Sequence, residues 1–378
     1  METLIRREPV VNRQKAIIAS RLIVQANSAH AAAEALNGMA DIWPATHDVW
    51  VSVVTPRFDE GLLSWQPPSN ALLGLPAGVL GTPAGLVLAA RFEERGTPLL
   101  LDEYEVGFEP PPSLKLRFAL ANAKRYPHLP LVPAVPIATG LADHGDFLDA
   151  IDNGYVGATG WFFLQGRLPS SSRLNPSHAQ IIHILNQVRQ NAEVTEIERT
   201  LKQNISISFK LLRYINSAGF GLQKQIESFR HAVTLLGYDK LNKWLSLLLV
   251  TASRDPAAPA LMQAAIARGR FMELTAEGRV ERKQLDNLFI TGSFSLLDVL
   301  LGTRIDAVLK EMNLPAVIGE ALLDRKGPCA PWLELAAAAE REDPSDLIAR
   351  AAALGVPLPV VNRAQVGALA FAESLQLD

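Results

Sequence analysis

The sequence predicts a multidomain protein, an α/β domain followed by an all-α one, and three observations carry that prediction. Short apolar runs punctuated by proline and glycine fill the first half. Proline, serine and asparagine then cluster between residues 165 and 177. Beyond that cluster, apolar residues recur at helical spacing to the end of the chain. The division is drawn at residues 1–168, a linker at 169–177, and residues 178–378.

The first half offers strand-length apolar runs at residues 16–24, 49–54, 85–90, 99–101, 114–116 and 131–135. Each is bounded by turn residues, as a buried strand is. Helical patches at 30–39 and 146–153 lie between them, and 121–129 reads as a short amphipathic piece. Strands alternating with helices predict βα units and a mainly parallel sheet.

The second half reads as helices throughout. Ile181, Ile182, Leu185 and Val188 open the pattern behind Ser177, a residue type suited to an N-cap. Later stripes run through Val194, Ile197 and Leu201, through Ile207, Leu211, Leu212 and Ile215, and past a break at Gly237 to Leu241, Trp244, Leu245 and Leu248. Residues 262–276, 284–301, 305–312, 317–323, 336–340, 347–354 and 362–375 continue the series.

Composition excludes several classes. Hydrophobic residues make up 48% and charged residues 20% of the 378, which is globular. A formal charge of −3 and the absence of a basic stripe predict no nucleic-acid partner. No apolar run approaches the ~20 residues a membrane-spanning helix needs, so a cytoplasmic protein is expected. The single cysteine, Cys329, excludes an internal disulfide and a multi-thiolate metal site.

Motifs that carry chemistry are scarce. No P-loop, His-Glu-x-x-His or Gly-x-Ser-x-Gly occurs. His178 and His183 are spaced off a common helical face and are expected in solvated or capping roles. The dipeptide His47-Asp48 lies in the α/β half and is read as a loop accident. Asp102-Glu103-Tyr104, following three leucines, is the acidic cluster with promise, because a barrel strand delivers functional side chains at its C-terminal end.

Residues 210–221, Lys-Leu-Leu-Arg-Tyr-Ile-Asn-Ser-Ala-Gly-Phe-Gly, with His231-Ala232-Val233-Thr234-Leu235-Leu236-Gly237 and the stretch 286–301, closely resemble the HDOD domain, a helical relative of HD phosphohydrolases without their metal ligands. The first half more faintly resembles an EAL domain, a shortened (β/α) barrel of the kind that hydrolyses cyclic di-GMP. Arg7-Glu8-Pro9-Val10 resembles its opening strand, Ala19-Ser20-Arg21-Leu22-Ile23 its Glu-Ala-Leu strand, Leu101-Asp102-Glu103-Tyr104 its Asp-Asp-Phe motif, and Leu114-Lys115-Leu116-Arg117 its Ile-Lys-x-Asp strand. Residues 154–163 resemble its closing strand.

This resemblance implies a two-domain EAL–HDOD signalling protein with its first domain degenerate. Arg21 and Arg117 stand where the motifs carry acids, Val135 and Ala138 fill glutamate positions, Pro136 the lysine position and Thr159 the glutamine position. The vestigial cleft is then Arg21, Asp102, Glu103, Lys115 and Arg117, with Arg21 or Arg117 bridged to Asp102 or Glu103. The expectations are no catalytic residue, no bound metal, no cofactor and no enzymatic activity, because two-metal hydrolysis needs clustered carboxylates. Cyclic di-GMP binding is disfavoured. The resemblance implies instead a non-catalytic regulator in second-messenger, motility or biofilm circuits. It would work through unidentified signalling proteins, with Arg213, Tyr214 and Asn216 as the candidate HDOD interaction surface. The alternatives are a cyclic di-GMP sensor and a residual phosphodiesterase. At roughly 165 residues, below the 200 or more usual for such barrels, the first domain is expected to lack outer helices or to be incomplete.

Overall fold

The computed structural model describes residues 2–129, 133–164, 176–202, 207, 210–211, 215–216, 226, 228–251 and 258–375. Eight strands close into a barrel: β1 (Leu4–Asn12), β2 (Ile17–Gln25), β3 (Asp48–Val54), β4 (Ala71–Pro76), β5 (Leu99–Asp102), β6 (Leu116–Asn122), β7 (Val135–Thr139) and β8 (Gly157–Thr159). β1 is antiparallel to both β2 and β8, and every other neighbouring pair is parallel. The barrel is therefore complete among the described residues, and of the two expected economies, missing outer helices or an incomplete barrel, the structure shows the first. The expected economy falls on the outer layer. Among the described residues, the α-helices between its strands are α1 (Ala29–Asn37), α2 (Ala77–Leu80), α3 (Pro83–Glu94) and α4 (His144–Asp152), with short 3-10 turns at Ala40–Ile42 and Glu60–Ser64.

Several assignments shift for physical reasons. Residues 85–90 read as a strand but lie in α3, where the Thr82 side chain accepts from the Gly85 amide and Pro83 opens the first turn. A short apolar run cannot by itself tell a strand from a buried helix face. Residues 121–129 form no amphipathic helix: the first two end β6 and turns follow. β4 was missed, because Gly74 interrupts its apolar run.

Alternation along the strands builds the interior. Val10, Ala19, Trp50, Leu72, Leu100, Leu120 and Ile137 pack together as one apolar layer. Their neighbours in sequence, such as Val49, Val51, Leu73, Leu99 and Leu101, join a larger cluster with the helices. That is the period-two partition of a barrel into a filled inside and a covered outside.

Two compact units divide the chain, and they do not follow a single cut. One comprises Met1–Gly166, Ala339–Pro344 and Gly355–Ala370; the other comprises Arg167–Ala338, Ser345–Leu354 and Phe371–Asp378. Within the second lie α5 (Pro176–Arg189), α6 (Val194–Lys202), α7 (Phe229–Val250), α8 (Ala258–Ala276), α9 (Arg282–Phe294), α10 (Leu297–Leu301), α11 (Ile305–Lys310), α12 (Ala316–Asp324), α13 (Ala330–Ala338) and α14 (Ser345–Ala353). The break at Gly237 is real: its φ of 73° kinks α7. α8 and α9 approach closely because glycines meet, a Cβ on Gly292 falling 2.6 Å from the Gly269 Cα. His178, expected in a solvated or capping role, is buried on α5, while His183 is exposed.

The last helix, α15 (Leu358–Ser374), supplies part of the barrel's missing cover. The Ile5 amide donates to Asn362 Oδ1 at 2.8 Å, and Asn362 Nδ2 donates to the Thr3 carbonyl at 2.8 Å. Val366 and Leu369 join the apolar cluster outside the strands. β8 reaches only Val10 to Asn12 of β1, so the earlier part of β1 needs these other partners. Asn362→Ala would leave a buried donor and acceptor unmet and should cost about 1–3 kcal/mol in urea unfolding. Arg363→Ala, which removes a solvent-exposed pair with Asp41, should shift the same transition much less.

Candidate functional site

The apolar layer fixes where the polar one stands. Two residues further along each parallel strand, toward its C-terminal end, come Arg21, Ser52, Gly74, Asp102, Asn122 and Thr139. β1 runs the other way and contributes Glu8 at the same level. A cavity of about 1000 Å³ opens above this layer, lined by Glu8, Arg21, Asp102, Asn122, Thr139 and Thr159 among others. The C-terminal end of a parallel barrel is where such folds place their sites.

Arg21 is the centre of the layer. Its Nη1 donates to Glu8 Oε1 at 2.8 Å, its Nη2 to Asp102 Oδ1 at 2.7 Å and its Nε to Ser52 Oγ at 2.7 Å. Burial penalises the guanidinium charge, but Asp102 and then Glu8 outweigh it and hold its pKa above the ordinary arginine value. The side chains of Arg21, Glu8 and Asp102 are 12%, 15% and 6% exposed, so removing one partner would strand a buried charge. Gly74 leaves the room: a Cβ there would stand 3.0 Å from Leu100 Cδ1 and 3.1 Å from Asp102 Cβ.

Glu103 follows with φ of 54°, a left-handed backbone that non-glycine residues seldom adopt. Burial, and then the Asp102 charge, push its carboxyl pKa up against the pull of Arg21. Beside it, Tyr104 and Tyr126 meet edge to face with centroids 5.1 Å apart. Arg125 lies over Tyr126 at 5.4 Å and has no carboxylate partner among the described residues. Lys124 pairs with Asp146 at 2.9 Å. The buried Tyr155 hydroxyl donates to the Tyr126 carbonyl at 2.8 Å and so anchors this side of the mouth.

The structure thus brings together Arg21, Asp102 and Glu103, and the bridge from Arg21 to Asp102 is present. It does not bring Lys115 and Arg117 to them. Lys115 precedes β6, where its amide meets Glu93, and Arg117 reaches Asp48 at 3.5 Å on an exposed surface. Both stand at the strand's start, whereas the β6 residue that lines the mouth at its other end is Asn122. Val135 likewise sits exposed at the start of β7, and Thr139 is the residue of that strand lining the mouth. Glu8, Ser52, Gly74, Arg125 and Tyr126 were missed. A lone glycine inside an apolar run was the available signal for Gly74.

The EAL resemblance implies divalent metal ions, and the residues do not fit them. No group of three His, Cys, Asp or Glu side chains placed to hold a metal occurs among the described residues. The guanidinium of Arg21 stands between the two carboxylates of the layer.

Of the candidate HDOD surface, Arg213 and Tyr214 lie outside the described residues, as do Gly219, Gly221 and the 169–175 part of the linker. Asn216 is described. Its Nδ2 donates to the Ile226 carbonyl at 2.8 Å and its Oδ1 accepts from the Ile226 amide at 2.7 Å. The side chain therefore ties two points of the chain ten residues apart. No described helix is long and apolar enough to cross a membrane.

Comparison with known proteins places an HDOD domain in the helical half, its family model matching residues 174–294. Cyclic di-GMP phosphodiesterase CdgJ of Vibrio cholerae is 26% identical over 240 residues, 63% of this chain and 56% of CdgJ. Uncharacterized protein YuxH of Bacillus subtilis is 25% identical over 194 residues, 50% of this chain and 47% of YuxH. The chain spans about half the length of the curated relatives it matches. A solved Shewanella amazonensis protein assigned as a phosphohydrolase is 15% identical, with a TM-score of 0.40 over 56% of this chain and 96% of that one.

The relationship to CdgJ corrects one expectation. The lost acids at Arg21, Arg117, Val135 and Ala138 suggested that the chain is not an enzyme, but the relative sharing 63% of it is a phosphodiesterase. Missing metal ligands exclude one mechanism and do not by themselves exclude an activity. Two of those positions, Arg117 and Val135, do not reach the mouth at all.

Two outcomes check this geometry. Gly74→Val should destabilise the barrel by about 1–3 kcal/mol through overpacking, read as a lower urea midpoint with an unchanged slope. Tyr155 gives a pH test, since burial pushes its pKa up to about 12. The folded state then holds the proton more tightly than the unfolded chain, whose tyrosine titrates near 10. Its contribution is complete below pH ~10 and is lost as pH rises toward about 12. Tyr155→Phe should flatten that alkaline decline, measured by urea unfolding at successive pH values.

Proposed function

We propose that this chain acts in cyclic di-GMP signalling, and that the mouth of its barrel, a diverged EAL-type domain, receives a phosphodiester-bearing nucleotide of that class. The observation that carries the reading is the Tyr104–Tyr126 pair beside Arg125, a cation with no carboxylate partner among the described residues. A nucleobase stacked on an aromatic ring gains about 1–3 kcal/mol. An arginine facing a phosphate adds charge-assisted hydrogen bonds. The likeness to CdgJ, a cyclic di-GMP phosphodiesterase, supports the same ligand class. This reading departs from the expectation drawn from the lost acids, which disfavoured the nucleotide. The HDOD unit is the output side of this scheme, passing the state of the circuit to a signalling protein.

Cleavage of the nucleotide at this site is the second reading, favoured by the named activity of CdgJ. No step through paired metals is derived, since the residues do not fit them. Glu103 lines the mouth, and burial raises its carboxyl pKa, the direction that favours proton transfer.

Titration calorimetry with cyclic di-GMP tests the first reading. Wild type should bind at one saturable site, and Arg125→Ala or Tyr126→Ala should each weaken binding by roughly tenfold, the equivalent of about 1.4 kcal/mol. No saturable heat in wild type would refute the nucleotide site. Chromatography for the linear dinucleotide, with Mg²⁺, with Mn²⁺ and with chelator, decides the second reading.

A further inference from the structure

The mouth holds the donors of a hard cation around a cation of its own. Glu8 Oε1, Ser52 Oγ and Asp102 Oδ1 come from three different strands, and each lies 2.7–2.8 Å from an Arg21 nitrogen. Mg²⁺-type ions are commonly held by one or two carboxylates, with water completing the shell. Two nearly buried carboxylates on opposite sides of one site need a positive charge between them, or one must take up a proton. Arg21 meets that requirement and uses three of its five N–H donors in doing so. The arrangement is anchored on the barrel wall, with Gly74 leaving the space that Asp102 occupies.

We infer that Arg21 takes the place of a metal ion at the mouth, a resident cation that makes this layer's integrity independent of divalent ions. The inference rests on the barrel layer alone and does not require the nucleotide reading. A guanidinium cannot be stripped by chelator and does not lose its proton in the working range. Removing it leaves Glu8 and Asp102 facing one another without their cation, a pair that should then recruit one from solution.

The test uses the full chain with Arg21→Ala, Arg21→Gln and the double variant Arg21→Ala/Asp102→Asn. Thermal unfolding is recorded with Mn²⁺ and with chelator, and bound Mn²⁺ is read by electron paramagnetic resonance. Wild type should melt alike in both conditions and hold no stoichiometric Mn²⁺. Arg21→Ala and Arg21→Gln should each melt lower in chelator, recover several degrees with Mn²⁺, and bind the ion stoichiometrically. The double variant should lose that recovery. Arg21→Gln keeps much of the side-chain volume, which guards against simple collapse of the layer. Wild type that binds Mn²⁺ as the variants do would overturn the inference. So would single variants that are indifferent to Mn²⁺, single variants that fail to fold in its presence, or a double variant that still responds.

Discussion

One guanidinium ties four strands of the barrel together. Arg21 leaves β2 and reaches Glu8 on β1, Ser52 on β3 and Asp102 on β5. A polar layer directly above an apolar floor is costly unless its members satisfy one another, and this one does so through a single planar donor fork. The constraint spreads outward. Asp102 needs the gap at Gly74, and the strand level of Asp102 sets where Glu103 and Tyr104 enter the mouth. Tyr126 comes from the β6–β7 connection and is pinned from below by Tyr155.

The outer layer shows how a short barrel domain closes its surface. No outer helix lies between β5 and β6, and α15, from far along the chain, adds Val366 and Leu369 to the apolar cluster outside the strands, its Asn362 and Arg363 meeting β1 and the end of α1. Asn362 then serves the backbone of β1 where the barrel's own strands leave it unpaired. The segment Ala339–Pro344 belongs to the same unit, and Arg6 donates to the Arg341 and Glu342 carbonyls at 3.1 and 2.7 Å. Sequence distance is a poor guide here, because burial can be completed by whichever segment carries the right apolar face.

The helical half rests on different devices. Glycines at 269 and 292 let two helices approach to backbone contact, and Gly237 redirects a third. Asn216 closes a ten-residue interval with a reciprocal pair of hydrogen bonds to Ile226. Both ends of that side-chain amide are committed to this pair of bonds.

The sequence by itself determined the two-class architecture, the HDOD half, the strands around residues 17–25, 48–54 and 99–102, and that an arginine of the first half would bridge to the acids at 102–103, without choosing between Arg21 and Arg117. Those features depend on local periodicity and on motifs with characteristic residue types, which are visible along one dimension. Only the tertiary structure decided that the barrel closes, that α15 covers it, and that Lys115 and Arg117 stay away from the mouth while Arg125 and Tyr126 line it. Closure and cover are matters of long-range pairing. Which residue of a strand reaches the mouth depends on register, and a shift of a few positions moves a side chain to the other face or the other end of the barrel. Glu8, Ser52 and Asp102 are far apart in sequence, and nothing short of the closed barrel brings them around one guanidinium.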